Sequence, residues 1–435
     1  MRTNLQARPR SEMQFLQRLL SGGDIVPDSI PSTDSEWQAV ADAILDHRLI
    51  GVAYRALLSL PENSVPETIL QRLQAAFYES SLSNYRLARN LVLLASILEK
   101  EGIPVLAMKG PVVAMAVYGD LALRHYTDLD VLVHLRDLTR AMDAMIRAGY
   151  RAEPESSPKT PGDLKKLYHV TFRASDGSHF VDLHWQLIDQ LWSSYSPDVE
   201  LLWDRAQFVK LPHGRVSTMC FEDLFLVLCF HGTKHRWDCL KWLVDIAEML
   251  RGAHAWDWSR INQMIATRPG AGAAAGLAVL LARDLFGQPI PAGAAGILPL
   301  TGRVAAMAER ISREILAGGA PVGAAVSVFC GWPWATLLGL ESRFTARMRY
   351  FWGMEFVRDP FRWTRMVLHV GDEDRAFITL PKWLDFLYTY IRIVRLLAKY
   401  IVRGVNTLWL MAWRIPFRRN YSLPNHVQQN TPPVR

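Results

Sequence analysis

The segment Asp128-Leu129-Asp130-Val131-Leu132-Val133-His134 constrains this chain more than any other. Side chains on a strand alternate between faces, so Asp128 and Asp130 point one way while Leu129 and Val131 point into a core. Two neighbouring carboxylates flanked by apolar residues are costly unless a cation neutralises them. Magnesium, with manganese as the alternative, is the hard, oxygen-preferring ion for that task, and it is commonly shared with substrate phosphates. The same apolar-acid-apolar pattern recurs in Val181-Asp182-Leu183-His184-Trp185. If the two strands are neighbours, three carboxylates converge. Such a trio suits a pair of ions about 3.5–4 Å apart that stabilise an in-line displacement at phosphorus.

The surrounding sequence reads as a small α/β unit. Val105-Leu106-Ala107-Met108 suits a short buried strand, Lys109-Gly110-Pro111 a turn, and Pro111 the first position of a helix through Tyr118. A glycine where a strand turns into a helix lets backbone N–H groups approach a phosphate, and Lys109 adds a positive charge. Leu138 to Ala148 is an amphipathic helix ended by Gly149, and residues 152–163 form a loop. Strands at Tyr168–Ala174 and His179–Trp185 join through Ser175-Asp176-Gly177-Ser178, a hairpin signal. Arg124 is placed either to contact a phosphate or to pair with a carboxylate. His184, two residues after Asp182, shares its face and is placed to orient an acceptor, to tune Asp182, or to sit satisfied in the core.

On both sides of this unit the pattern is helical. Trp37, Val40, Ala41, Ile44 and Leu45 recur at helical spacing with a start at Ser35, and a long helix follows from about Glu67 to Lys100. Asp223–Arg236 and Lys241–Leu250 are helices, and the Gly/Ala-rich stretch 270–296 suggests tightly packed helices and turns. His231, Lys234, His235, Asp238 and Asp245 fall at helical spacings that share a face. That stripe could close over the acidic strands and bring Lys234 and His235 to a nucleotide, or be a polar face without a ligand. Zinc at His231 and His235 is disfavoured, because no glutamate lies between them as in a metalloprotease helix.

Charge is unevenly spread. Residues 341–435 carry 16 basic and 7 acidic residues, so the tail holds +9 of a total of +7 and the remainder is −2. A generally basic nucleic-acid binder is therefore disfavoured, an RNA acceptor aside, and an anionic surface would be met by the C-terminal quarter. Arg392, Arg395, Lys399 and Arg403 alternate with apolar residues near Trp383, Trp409 and Trp413. Residues 383–419 thus read either as a helix docked on the protein or as one lying on anionic lipid. The 26 uncharged residues between Glu314 and Glu341 are interrupted by Gly318, Gly319, Pro321, Gly331 and Pro333, which favours buried helices over a span. Residues 420–435 are expected to be disordered. Four cysteines with no CxxC spacing imply a reducing cytoplasm, with the inner membrane face as the alternative if the tail binds lipid.

The phrases "GIPVLAMKGPVVAMAVYGDLALRHYTDLDVLV", "FVDLHW", "FHGTKHRWDCLKWLVDIAEML" and "HRLIGVAYRALLSLP" resemble the uncharacterised bacterial nucleotidyltransferases of the polymerase-β-like superfamily, over roughly residues 35–250. The broader superfamily has Gly-Ser after its first strand; this chain has Lys109-Gly110. The resemblance implies a small mixed-sheet nucleotidyltransferase core inside helical flanks. With the patterns above, the chain reads as α+β, with a helical region over 1–100, the core over 101–212, a helical domain over 213–340 and a basic, aromatic-rich helical region over 341–435. It further implies magnesium-dependent transfer of an NMP from an NTP to an acceptor with release of pyrophosphate. Asp128 and Asp130 would hold metal, with Asp182 as third ligand or base. Lys109, Gly110, Arg124, His184, Lys234 and His235 would bind the nucleotide. The acceptor is open among sugar, peptide, lipid, RNA end and protein side chain. A non-catalytic binding protein of the same fold and a membrane-surface assembly protein are the rival expectations.

Overall fold

The computed structural model describes residues 11–317 apart from 24, 26–28, 155, 159–162, 166 and 189, together with 340, 384, 385, 387, 388 and 390–392. The expectations for residues 318–339, for most of the 383–419 tail and for residues 420–435 lie outside the described residues. The chain divides into two compact units, Met1–Met354 and Glu355–Arg435. In the second, positions 387, 388 and 390–392 are helical. The first carries everything that follows.

Four helices lead in: α1 (Ser11–Ser21), α2 (Asp34–Asp46), α3 (Ile50–Leu57) and α4 (Glu67–Lys100). The start of α2 lies at Thr33, not at Ser35. Thr33 Oγ1 accepts from the Glu36 amide, and the Glu36 carboxylate reaches back to the Thr33 amide at 3.1 Å, a reciprocal capping box. Next come β1 (Leu106–Ala107), the short helix α5 (Pro111–Val113) continued by a π-turn over Ala114–Tyr118, β2 (Asp128–Leu132), α6 (Leu138–Arg147), β3 (Arg151–Ala152), β4 (His169–Arg173) and β5 (Phe180–His184). After α7 (Val199–Trp203) the hairpin β6 (Gln207–Leu211) and β7 (Gly214–Thr218) completes the sheet. Helices α8 (Phe221–Lys234), α9 (Leu240–Arg251), α10 (Trp258–Thr267), α11 (Pro269–Phe286), α12 (Ala292–Ala295) and α13 (Gly302–Leu316) follow.

The seven strands form one mixed sheet in the order β3-β4-β5-β2-β1-β7-β6, so the fold is α+β with helices on either side of the sheet in sequence. One face is apolar throughout. Leu129, Val131, Val133, Val181 and Leu183 pack with Leu87, Leu91, Leu94 and Leu98 of α4 and with Leu138, Ala141 and Met145 of α6 in a single buried cluster. The alternation that puts these residues inside puts Asp128, Asp130, Asp182 and His184 on the opposite face. Helix α4 also fixes the chain entering β2. Asn84, fully buried, donates from Nδ2 to the carbonyls of Leu121 and Arg124, and the Tyr126 hydroxyl donates to the Asn84 carbonyl at 2.9 Å. The strands β3, β6 and β7 carry no clear sequence signal. The first has two residues, and Gln207, Phe208 and Lys210 of the edge hairpin are exposed, so burial imposes little alternation there.

Beyond the sheet, α8, α9 and α13 pack around α11. Among the described residues α11 is the one helix long and apolar enough to cross a membrane, and 78% of its apolar window is buried within the fold. The face expected to run from His231 to Asp245 on one helix is divided between two, because the chain turns sharply at Arg236 (φ 57°) and Trp237 (φ 59°). Left-handed backbone at such side chains costs about 1–2 kcal/mol per residue. Burial of Trp237 against Gly232 offsets it: the indole is fully buried, and its backbone amide donates to the Gly232 carbonyl at 2.8 Å. A Cβ at Gly232 would fall 2.2–2.4 Å from three ring atoms of the Trp237 indole. Gly232→Ala is therefore expected to destabilise the protein by about 1–3 kcal/mol, read as a lowered urea midpoint; an unchanged midpoint would show that the turn is not held by this contact.

Candidate active site

The geometry of the site follows from strand register. Parallel pairing of β2 with β5 sets Asp130 opposite Asp182 and Leu132 opposite His184, and antiparallel β4 sets Thr171 opposite Asp182 and His169 opposite His184. Asp130, Asp182 and His184 consequently offer ligand atoms that all lie within 4.8 Å of one another, the one such convergent set among the described residues. Asp128 lines the same cavity but stands outside that set, and His184 stands within it.

Asp130 is the centre of the arrangement, at 7% exposure. Lys109 Nζ donates to its Oδ1 at 3.0 Å, and His184 Nε2 lies 3.2 Å from the same oxygen. Burial works to raise the Asp130 pKa, but Lys109 and His184 together outweigh it and hold the carboxyl well below the usual range. Burial likewise opposes the Lys109 charge, yet Asp130, then Asp128 and Asp182, raise its pKa above the ordinary value. Asp128 goes the other way. Burial first and repulsion from Asp130 second push its carboxyl up, against the pull of Lys109. Thr171 Oγ1 donates to Asp182 Oδ1 at 2.6 Å and fixes that side chain.

The donors fit a divalent cation. Two carboxylates and an imidazole converge, and His184 Nδ1 faces the Gln186 carbonyl at 3.3 Å. A backbone carbonyl at one ring nitrogen is the arrangement that turns the other toward a metal. The Lys109 ammonium serves as the counter-charge to Asp130 within the protein alone.

These groups floor a cavity of about 430 Å³ roofed by α8, the turn after it and α9. Lys109, Gly110, Arg124, Asp128, Asp130, Asp182, His184, Lys234 and His235, all expected from the sequence, line it together. Their engagements differ. Gly110 turns the chain at φ 58° and ψ −121°, a conformation open to glycine and strained for other residues, directly before Pro111. Lys234 Nζ donates to the Tyr168 hydroxyl at 2.7 Å and stands 4.5 Å from the centre of that ring. Arg124 has taken the carboxylate of its two expected roles. It grips Asp245 of α9 through Nε and Nη2 at 2.9 Å, both groups are buried, and Tyr118 also donates to Asp245 at 2.7 Å. His184, expected to orient an acceptor, to tune Asp182 or to sit satisfied in the core, is buried and meets Asp130 and the Gln186 carbonyl.

Several lining residues were not anticipated. Lys241, the second residue of α9, donates to the His125 carbonyl at 3.1 Å, and burial, followed by the nearby Arg124 charge, pulls its pKa down to about 8. Arg48, Tyr168, His169 and Trp242 also face the cavity. His169 was readable in principle, since His169, Thr171 and Arg173 form a polar alternation on the β4 face that meets Asp182. Arg48 and Lys241 arrive through tertiary packing that no local pattern encodes. His169 and His235 are each held to about 3, mainly by burial, and so are neutral at physiological pH.

The raised Asp128 pKa fixes a sign. A carboxyl whose pKa rises on folding favours the folded state while protonated, and that contribution is lost as pH climbs from the ordinary carboxylate range through the raised value. In the presence of a chelator, Asp128→Asn should therefore be more stable than wild type at about pH 7, the gap closing by about pH 4. Urea midpoints across that range provide the check; parallel profiles would contradict the assignment.

A family model described as an uncharacterised nucleotidyltransferase matches residues 33–287, the stretch from the Thr33 cap of α2 to the Gly287 cap of α11. No curated protein matches the chain. The family match takes in both acidic strands, the Lys109-Gly110 turn and the α8–α9 roof, and it spans more than half of the 435 residues. The chain belongs to this family of uncharacterised nucleotidyltransferases.

Proposed function

We propose that this protein transfers a nucleoside monophosphate from an NTP to an acceptor hydroxyl with release of pyrophosphate, as a cytoplasmic enzyme of the polymerase-β-like type. The observation that carries this reading is the convergence of Asp130, Asp182 and His184 on the sheet face that opens into the lysine-bearing cavity. In this reading Asp130, Asp182 and His184, with Asp128 beside them, hold magnesium. Bound there, the cation supplies Lewis-acid charge to the phosphates.

The chain's own residues do the remaining work. Lys234 and Lys241 both donate to neutral oxygens and form no ion pair among the described residues, and their positive charges meet the triphosphate. Lys109 leaves the oxygen it now shares with His184 and follows the phosphate charge. Gly110 lets the main chain approach the phosphates without a side chain in the way. Asp182, held by Thr171, accepts the proton of the attacking hydroxyl. Little covalent chemistry falls to the protein, and positioning with electrostatic stabilisation carries the rate.

Asp130→Asn tests the reading. With magnesium, α-labelled NTPs and a host extract as the acceptor source, the variant should lose at least about 100-fold in label transfer while its circular dichroism matches wild type. Equal transfer would refute the assignment. Calorimetry that detects no magnesium-dependent NTP binding by the wild type would favour a non-catalytic binding protein.

A further inference from the structure

The acidic cluster opens on two sides. Asp128 and Asp182 line the cavity under α8 and also a second cavity of about 490 Å³. This one lies along the sheet toward the starts of β2 and β5, bounded by Thr127, Thr171, Ser178, His179 and Phe180. The two cavities differ in charge. Arg48, Lys109, Arg124, Lys234 and Lys241 line the first, whereas no lysine or arginine lines the second among the described residues. Arg173, opposite Phe180 across the sheet, stands 4.9 Å over the Phe180 ring and is paired with Glu153 at 3.2 Å. His179 is engaged too, with Ser178 Oγ 2.9 Å from Nδ1 and the Tyr150 hydroxyl 3.3 Å from Nε2.

Resting on the nucleotidyl-transfer reading above, we infer that the second cavity is the acceptor subsite and that it takes a small non-anionic polyhydroxyl compound of the sugar or polyol class. Three features carry this. An in-line displacement needs the acceptor oxygen and the leaving pyrophosphate on opposite sides of the α-phosphorus, and two cavities that share Asp128 and Asp182 provide those sides. With no lysine or arginine among its described lining residues, the second cavity gives the phosphate of an ester no cationic partner, while its two carboxylates accept hydrogen bonds from hydroxyls. Thr127, Thr171 and Ser178 add hydroxyl partners, and Phe180, 37% exposed, offers an apolar surface to the C–H face of a ring. The volume lies in the range that holds a small molecule.

The acceptor oxygen forms a bond to the α-phosphorus, and its proton passes to Asp182. The bond from that phosphorus to the αβ-bridging oxygen breaks, and pyrophosphate departs with the electron pair.

The test uses the full-length protein with magnesium and α-labelled NTP, offering glycerol against glycerol 3-phosphate and glucose against glucose 6-phosphate at equal, tens-of-millimolar concentration. Label should enter the neutral compound at least about tenfold more than its phosphate ester. Ser178→Lys, at an exposed turn position, should narrow or reverse that ratio, and Thr127→Lys, also exposed, serves as the second variant should the first not fold. Preference for the phosphate esters, label on the protein chain itself, no label in either neutral compound, or a ratio unmoved in a folded lysine variant would each overturn the inference. Calorimetry of magnesium–NTP binding separates the two levels. Absent binding by the wild type removes the transfer reading itself, whereas intact binding with any of those outcomes removes the acceptor subsite alone.

Discussion

Parallel pairing between β2 and β5 is the constraint on which the site depends. Five residue pairs fix the register, and the apolar residues between the acids enforce it. A slip of one residue would turn Val181 and Leu183 to the polar face and drive Asp182 into the cluster under α4 and α6. The hydrophobic core therefore determines where the carboxylates meet, and the electrostatic cost of that meeting is imposed on the fold. Lys109 meets much of it. Without its ammonium, Asp130 would keep a buried charge beside Asp182 with only the ring of His184 against it.

The residues that could be read from the sequence are those whose chemistry and local pattern coincide. Asp128, Asp130 and Asp182 announce themselves by acids set among apolar neighbours on strands, and Lys109-Gly110 by its place between a strand and Pro111. The turn Ser175-Asp176-Gly177-Ser178 marked the β4–β5 hairpin because turn residues there are locally specified. The edge hairpin of β6 and β7 escaped notice because its outward residues answer to no core. The cavity roof was half readable. The histidines and Lys234 lie on one helical face, but the reversal at Arg236 and Trp237 that brings Lys241 alongside depends on packing against Gly232, a contact with no signature in propensity. Thr33 shows the same on a small scale, since a capping box two residues upstream outcompeted the serine that also suits a helix start.

Within the cavity, charge and neutrality are distributed by element. The sheet supplies Asp128, Asp130 and Asp182, the Lys109 loop and the two roof helices supply lysines, and the imidazoles of His169 and His235 remain uncharged through burial. Lys241, pulled down to about 8, is the roof cation most responsive to what fills the space, because an arriving anion would restore its proton affinity.

The buried link between Arg124 and Asp245 bears on how the molecule can be divided. Its partners stand 121 residues apart in the chain, one in the segment entering β2 and the other on α9. A fragment ending after the last strand would lose the counter-ion of Arg124 and open to water the surface that α8 and α9 cover. The sheet and the helices above it are thus tied by a buried ion pair that no cut between them leaves intact.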